Sequence, residues 1–205
     1  MPMRLGPLDI ILNKDFKPNK KFYLVSENES TLIQKITGTI IEKYQEKEII
    51  TVTKIDSINN LIIEAGLFED KKIYLIKGFK EFSDKTLNNH RMSSNVFIFV
   101  QENTQKLKKI KNIFLKDEDC CLIDCYELDK NSKIKIFNEF LKSSNFKIEK
   151  DLYWELIEKL DNKYAFLENS LNKISLIEKN DISLINIKKL LTIDDSGKEK
   201  VFFSL

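Results

Sequence analysis

The chain has 205 residues, of which 42% are hydrophobic and 32% are charged, a balance typical of a globular protein. No apolar run reaches the roughly 18 residues that a membrane-spanning helix needs. Residues 1–21 lack the charged and then apolar layout of a signal peptide, so a cytoplasmic protein is expected. The net charge of +2 does not by itself indicate a nucleic-acid-binding protein. All basic residues except Arg4 and Arg91 are lysine, a bias that weakens any argument from lysine-rich segments.

The predicted elements begin with a short apolar strand after an irregular leader. The strand covers 22–25 and ends at a polar turn, Ser26-Glu27-Asn28-Glu29. Apolar residues then recur at steps of three and four, which predicts an amphipathic helix over 31–45. Thr31 and Gln34 have the spacing of a capping box at its start.

Further strands and helices alternate up to about residue 129. Ser57 is placed to cap a short helix that stops at Gly66, residues 81–90 predict a weak helix or loop, and residues 104–116 predict a basic helix or loop. The remaining strands are predicted at 49–52, 73–76, 96–100 and 120–125. Because nearly all of these strands are continuous apolar runs, the pattern predicts a mostly parallel sheet covered by helices on both faces.

From Asn131 onwards the pattern shows helical periodicity alone, which predicts a small all-α bundle. The predicted domains are therefore an α/β domain at 1–129 and a helical bundle at 130–199. Residues 200–205 resemble the opening of a further helix. The four predicted apolar stripes of the bundle are Ile134-Phe137-Phe140-Leu141, Leu152-Leu156-Ile157-Leu160, Tyr164-Leu167-Leu171-Ile174 and Ile182-Ile185-Leu190.

Metal binding and catalysis find little support in the sequence. Cys120, Cys121 and Cys125 lie in an apolar stretch, thirty residues from the single histidine, so a buried strand with reduced thiols is favoured over a zinc site. His90 sits in a polar segment and is interpreted as solvated. No nucleophile with a histidine base can be assembled from these residues, and no cofactor is expected.

The turn at 26–31 stands where a P-loop protein binds phosphate. A phosphate-binding loop needs glycines for close backbone approach, followed by Lys and Ser/Thr. This turn has neither glycine nor lysine, and it carries two carboxylates, Glu27 and Glu29, which would repel phosphates. Nucleotide hydrolysis by this chain is therefore not expected.

The order of the motifs resembles the delta subunit of the bacterial DNA polymerase III clamp loader. The family opens with a strand and an acidic turn, "Y-L-L-x-G-E-E", matched at 22–29 with Ser26 in place of the usual glycine. A short helix ending in a Leu-Phe pair then precedes basic residues and a strand, as at 64–76. A Lys-rich stretch follows the next strand, as at 106–111. Residues 163–174 fit the apolar frame of the family's "D-L-R-x-L-x-x-E-L-x-K-L" helix, with Ala165 and Ser170 as departures.

The resemblance implies a degenerate, P-loop NTPase-like AAA+ module, followed by the helical bundle. The final residues, 201–203, resemble the phrase that opens the family's third, collar domain, so 200–205 would be the start of a collar helix. Family resemblance implies a non-catalytic subunit of the DNA polymerase III holoenzyme, which binds the sliding clamp (the beta subunit), holds it open and contacts other loader subunits.

The resemblance also implies which residues bind the clamp. Leu67 and Phe68 would enter a hydrophobic pocket on the ring, and Ala65 would line the same face. The alternative is that the apolar pair belongs to the core beneath the sheet. Its position between Gly66 and the charged residues 69–72 favours an exposed corner.

Lys106, Lys108, Lys109 and Lys111 are candidate contacts to primer-template DNA. The alternative is a solvated helix face, which the lysine-biased composition favours. Two other functions stay open at this stage: an atypical nucleotide-binding AAA+ protein, and an α/β interaction module with no role in replication.

Overall fold

The computed structural model describes residues 3–44, 47–53, 71–102, 107–144, 146 and 148–176. Within them the strands are β1 (Met3–Leu5), β2 (Phe22–Glu27), β3 (Ile49–Thr53), β4 (Ile73–Lys77), β5 (Val96–Glu102) and β6 (Cys120–Asp124). The helices are α1 (Pro7–Ile11), α2 (Ser30–Glu42), α3 (Asp84–Arg91), α4 (Leu107–Phe114), α5 (Lys130–Ser144), α6 (Lys150–Lys159) and α7 (Tyr164–Ser175). None of the helices described is both long and apolar enough to cross a membrane.

The six strands form one sheet in the order β1-β6-β2-β5-β4-β3, and every neighbouring pair is parallel. Every residue of β2 and of β6 is buried, as expected of strands covered on both faces. On one face Phe99 makes edge-on ring contacts with Phe79, Phe82 and Phe114. The structure thus confirms the predicted α/β class with a parallel sheet.

The leader at the N-terminus is irregular only in part: residues 12–21 form no helix or strand, as predicted, whereas residues 3–11 contain one of each. Residues 3–5 form β1, which pairs with β6 so that Met3 lies opposite Cys121. Helix α1 follows at once, with Pro7 in its first turn and the Asp9 carboxylate accepting the Gly6 N–H at 2.8 Å. A strand of three residues has no recognisable period, and its formation depends on a partner more than a hundred residues away.

Two local predictions on helices also need correction. Helix α2 begins at Ser30 with Glu29 as its N-cap, rather than with a capping box at Thr31, and it ends at Glu42 rather than at residue 45. His90 is buried, not solvated: it is 5% exposed, and its ring stacks on Phe97 with 5.1 Å between the centroids. It lies one helical turn after Thr86 and Leu87, on the face of α3 that packs on the sheet.

The chain divides into two compact units, Met1–Tyr126 and Glu127–Leu205. The described elements of the second unit are the helices α5, α6 and α7. Its predicted stripes on α6 and α7 are buried, from Leu152 to Ile174. The buried ammonium group of Lys133 donates to the Leu160 carbonyl oxygen at 2.8 Å, which satisfies a free carbonyl at the end of α6. The fourth predicted stripe and residues 200–205 lie outside the described residues.

Strand β6 and the residue that follows it bring the three cysteines into the core, as predicted. All three thiols are free and buried. Burial raises the pKa of the Cys121 and Cys125 thiols to about 12, and it raises the pKa of Cys120 as well. Within the residues that the structure describes, no group of three or more His, Cys, Asp or Glu side chains is arranged to bind a metal ion.

These thiols are expected to resist alkylation at pH 8 while the protein is folded. The thiolate is the reacting form, and a raised pKa keeps each folded thiol protonated until the pH approaches that pKa. The unfolded chain should be modified at all three positions at the same pH. Mass spectrometry after a pulse of iodoacetamide measures this directly. Rapid labelling of Cys121 in the folded protein would contradict the buried placement of β6.

Candidate functional site

The turn between β2 and α2 lies at the carboxyl edge of the sheet, where strand β2 has β5 on one side and β6 on the other. The Glu29 side chain, 3% exposed, folds over the first turn of α2. Its carboxylate accepts the Thr31 N–H at 3.2 Å, the Leu32 N–H at 2.5 Å and the Thr31 hydroxyl at 2.8 Å. These are the donors that a bound phosphate would use at a helix N-terminus. A side chain of the chain itself therefore occupies that position.

Glu27 stabilises the same turn in a different way. Its φ is 101°, a conformation that is strained for any residue but glycine. The carboxylate is buried and pairs with the ammonium group of Lys111, which also contacts Asp124 at 2.6 Å. One lysine on α4 thus joins the ends of β2 and β6. Next to it, the Ser26 hydroxyl is fully buried with no hydrogen-bond partner among the described residues.

Two buried carboxylates in this turn disfavour a phosphate for two reasons. Their charge repels an anion, and the N–H groups of α2 are already satisfied by Glu29. The sequence indicated the repulsion, since both glutamates are visible in it. The second reason comes from the structure, because it depends on how the Glu29 side chain folds back.

Replacing Glu29 by alanine is expected to lower the free energy of unfolding by about 1–2 kcal/mol, since the variant loses an N-cap and its favourable charge at the helix N-terminus. Asn28→Ala, at the exposed neighbouring position, should change it by less than about 0.5 kcal/mol. Urea denaturation measures both. Magnesium-ATP should not raise the melting temperature of the wild type or of either variant. An ATP-dependent shift in the wild type would contradict a turn closed to phosphate.

A cavity of about 400 Å³ opens beside this turn, between α4 and the β1–β6 side of the sheet. Glu27 and Asp124 line it, with side chains 6% and 8% exposed. Its cations are Arg4, whose guanidinium donates to Asp124 at 2.7 Å, together with Lys108 and Lys111. Asn112, Tyr126 and the leucines 107, 115 and 122 complete the lining.

The candidate DNA-contacting lysines occupy different environments. Lys108 and Lys109 are exposed on α4, whereas the Lys111 side chain is 17% exposed and held by two carboxylates. Lys106 lies outside the described residues. The sequence offered no signal for Arg4, Asp124 or Tyr126, because the pair Arg4–Asp124 joins positions 120 residues apart.

The candidate clamp-binding residues Ala65, Leu67 and Phe68 also lie outside the described residues. The segment that contains them connects β3, the outermost strand on its side of the sheet, to β4, the next strand inward.

Comparison with known proteins finds no matching family model and no matching curated protein. Among solved structures, the DNA clamp loader delta protein of Bacillus subtilis is similar with a TM-score of 0.54 at 14% identity, over 76% of this chain and 52% of that protein. The chain therefore spans about half the length of that relative. This likeness supports a similar fold for the part of the chain that it covers.

Two further structures are similar at lower scores. Domain III of the Thermotoga maritima replication initiation protein DnaA has a TM-score of 0.46 at 12% identity, over 91% of this chain and 88% of that chain. The Thermotoga maritima RuvB Holliday junction branch migration motor has a TM-score of 0.48 at 8% identity, over 83% of this chain and 61% of that chain. Likenesses at these scores do not assign a fold.

Proposed function

We propose that this chain is a delta-type subunit of a clamp loader, which binds a sliding clamp and holds it open for loading onto primed DNA. The observation that carries the proposal is the turn between β2 and α2. The strands and helix α2 on either side of this turn are those of an AAA+-like domain. At the start of α2, however, the Glu29 carboxylate accepts the N–H groups that would otherwise bind a phosphate. The similarity to the Bacillus subtilis delta protein, together with the order of the motifs, is the reason for proposing the sliding clamp as the partner.

A subunit built in this way acts mechanically rather than chemically. Its own turn holds no phosphate, so the free energy for loading comes from ATP bound to neighbouring loader subunits. The contribution of this chain is binding energy at the clamp surface. The ion pairs of Lys111 join β2, β6 and α4, which stiffens the edge of the sheet next to the turn.

Leu67 and Phe68 are the proposed anchors on the clamp, with Ala65 on the same face. Large apolar side chains within a polar rim are the usual composition of a binding hot spot. Burying each of the two is worth roughly 1.5–3 kcal/mol. The segment follows the outermost strand β3, so it is connected to an edge of the sheet rather than to its centre.

DNA and the other loader subunits are the remaining proposed partners. Of the four candidate lysines, Lys108 and Lys109 have exposed side chains able to reach a phosphate. Lys111 is engaged with Glu27 and Asp124, so its substitution would act through stability.

The experiment that tests the function is binding of the whole chain to the sliding clamp of its own organism, measured by titration calorimetry. Micromolar or tighter affinity is expected. Failure of the folded chain to bind the clamp would remove the proposal. Loss of binding to the other loader subunits as well would favour an interaction module with no role in replication, and a measurable ATPase rate would favour an atypical nucleotide-binding AAA+ protein.

A further inference from the structure

In the cavity between α4 and the β1–β6 side of the sheet, the acidic side chains are buried and the most exposed charged side chains are basic. The carboxylates Glu27 and Asp124 are nearly buried, and each is neutralised by Lys111 or Arg4. The Arg4 side chain is 64% exposed and Lys108 is exposed, so the charge presented at the mouth is positive. An anionic group is the ligand that this mouth would attract.

Apolar and aromatic surface lies next to these cations. Tyr126 is 50% exposed and Leu115 is 39% exposed, two large side chains that the chain itself leaves partly uncovered at the same cavity. The ammonium group of Lys111 lies 5.8 Å from the centroid of the Tyr126 ring. The amide of Asn112 adds one donor group and one acceptor. The volume, about 400 Å³, falls within the roughly 300–1,000 Å³ of small-molecule sites.

We propose that this cavity binds one nucleotide of single-stranded DNA, with its base against Tyr126 and its phosphate between Arg4 and Lys108. Stacking on an aromatic ring beside a cationic groove is the general way in which proteins hold single strands without reading their sequence. The amide of Asn112 is placed to contact a base edge. A duplex keeps its bases stacked on each other, so it offers no base to the ring. The proposal extends the DNA contact of the proposed function and does not require the clamp.

The test uses the full chain without clamp and a fluorescent oligothymidylate, followed by anisotropy over a series of salt concentrations. The wild type is expected to bind with an affinity that falls as salt rises. Arg4→Gln/Lys108→Gln should lower the slope of log K against log salt by about 0.7, since the two side chains hold one phosphate and each phosphate neutralised on a single strand contributes about 0.7. Lys17→Gln/Lys85→Gln removes the same charge from exposed lysines outside the cavity, and it should leave the slope of log K against log salt nearly unchanged.

The aromatic contact has its own variants. Tyr126→Leu should weaken binding by at least about fivefold, whereas Tyr126→Phe should retain it, because stacking needs the ring and not the hydroxyl. Thermal melting of each variant shows whether it is folded. If Arg4→Gln disturbs the fold through Asp124, Lys108→Gln alone, at an exposed position, tests the phosphate contact.

Several results would overturn the proposal. They are an equal loss of affinity in the Lys17/Lys85 control, unchanged binding by Tyr126→Leu, and equal affinity for a duplex of the same length. Displacement of the oligonucleotide by an acidic peptide of equal charge would assign the cavity to acidic protein segments. Saturable binding of thymidine monophosphate, with no stronger binding of the oligonucleotide, would assign it to a free nucleotide. None of these results depends on clamp binding, so the two proposals fail independently.

Discussion

Replacing Leu67 and Phe68 together by alanine is expected to weaken binding to the sliding clamp by more than about 100-fold. Each side chain contributes roughly 1.5–3 kcal/mol when it is buried at an interface. Every 1.4 kcal/mol corresponds to a tenfold change in affinity, so losing both anchors, about 3 kcal/mol or more, weakens binding by at least about 100-fold. Titration calorimetry with wild-type and variant chains measures the loss, and circular dichroism establishes that the variant is folded.

A matched control distinguishes a specific anchor from a general loss of apolar surface. Met92 is 94% exposed and Leu176 is 83% exposed, so Met92→Ala/Leu176→Ala removes similar apolar groups from other positions. This control should bind the clamp as the wild type does. If it loses as much affinity as the double variant at 67 and 68, or if that variant binds normally, the anchor assignment is wrong. A double variant that unfolds would instead support the interpretation of Leu67 and Phe68 as core residues.

Replacing Lys111 by methionine is expected to lower the free energy of unfolding by about 3 kcal/mol. Removing one partner of a buried ion pair leaves an uncompensated charge, which costs about 3–5 kcal/mol. The lower end applies here because the Lys111 side chain is 17% exposed and Arg4 still neutralises Asp124. Glu27 would then be left buried, at a strained φ and without its ammonium partner. Urea denaturation monitored by circular dichroism gives the difference.

Two further variants test whether charge is the cause. Lys109→Met, at an exposed position on the same helix, should change the free energy of unfolding by less than about 0.5 kcal/mol. Glu27→Gln combined with Lys111→Met should recover part of the loss, because it removes the carboxylate that the lysine neutralised. A loss below about 1 kcal/mol in Lys111→Met would show that solvent screens the pair. Absence of any recovery in the double variant would assign the loss to packing.

The strands of the sheet were predictable because burial on both faces produces continuous apolar runs. Residues 22–25, 73–76 and 96–100 lie within strands of the structure, and the strand predicted at 120–125 extends one residue beyond β6. Helix ends were less predictable. Thr31 and Gln34 have the spacing of a capping box, but the Glu29 carboxylate, two residues before Thr31, accepts the Thr31 and Leu32 N–H groups as the N-cap. Spacing alone does not choose between two residues that could each cap the same helix.

His90 shows a second limit of local reasoning. Its sequence neighbours are polar, which suggests solvent, yet it packs on Phe97 from a helix whose apolar face is narrow. The three cysteines give the opposite case, since their apolar neighbours correctly indicated burial. Local composition predicts burial correctly when the whole segment lies in the core. It predicts burial wrongly when a single residue of an otherwise polar helix packs into the core.

The sequence by itself determined the α/β class, the helices of the second unit up to Ser175 and the lack of glycine and lysine in the turn at 26–31, because each follows from periodicity or from residue types within one short segment. Tertiary structure alone decided that β1 pairs with β6, that Lys111 holds Glu27 and Asp124, and that Arg4, Lys108 and Tyr126 line one cavity. These contacts join positions up to 120 residues apart. Their energies depend on burial and on the distances between the groups. Both are set only when the parallel strands align and bring their carboxyl ends to one edge of the sheet.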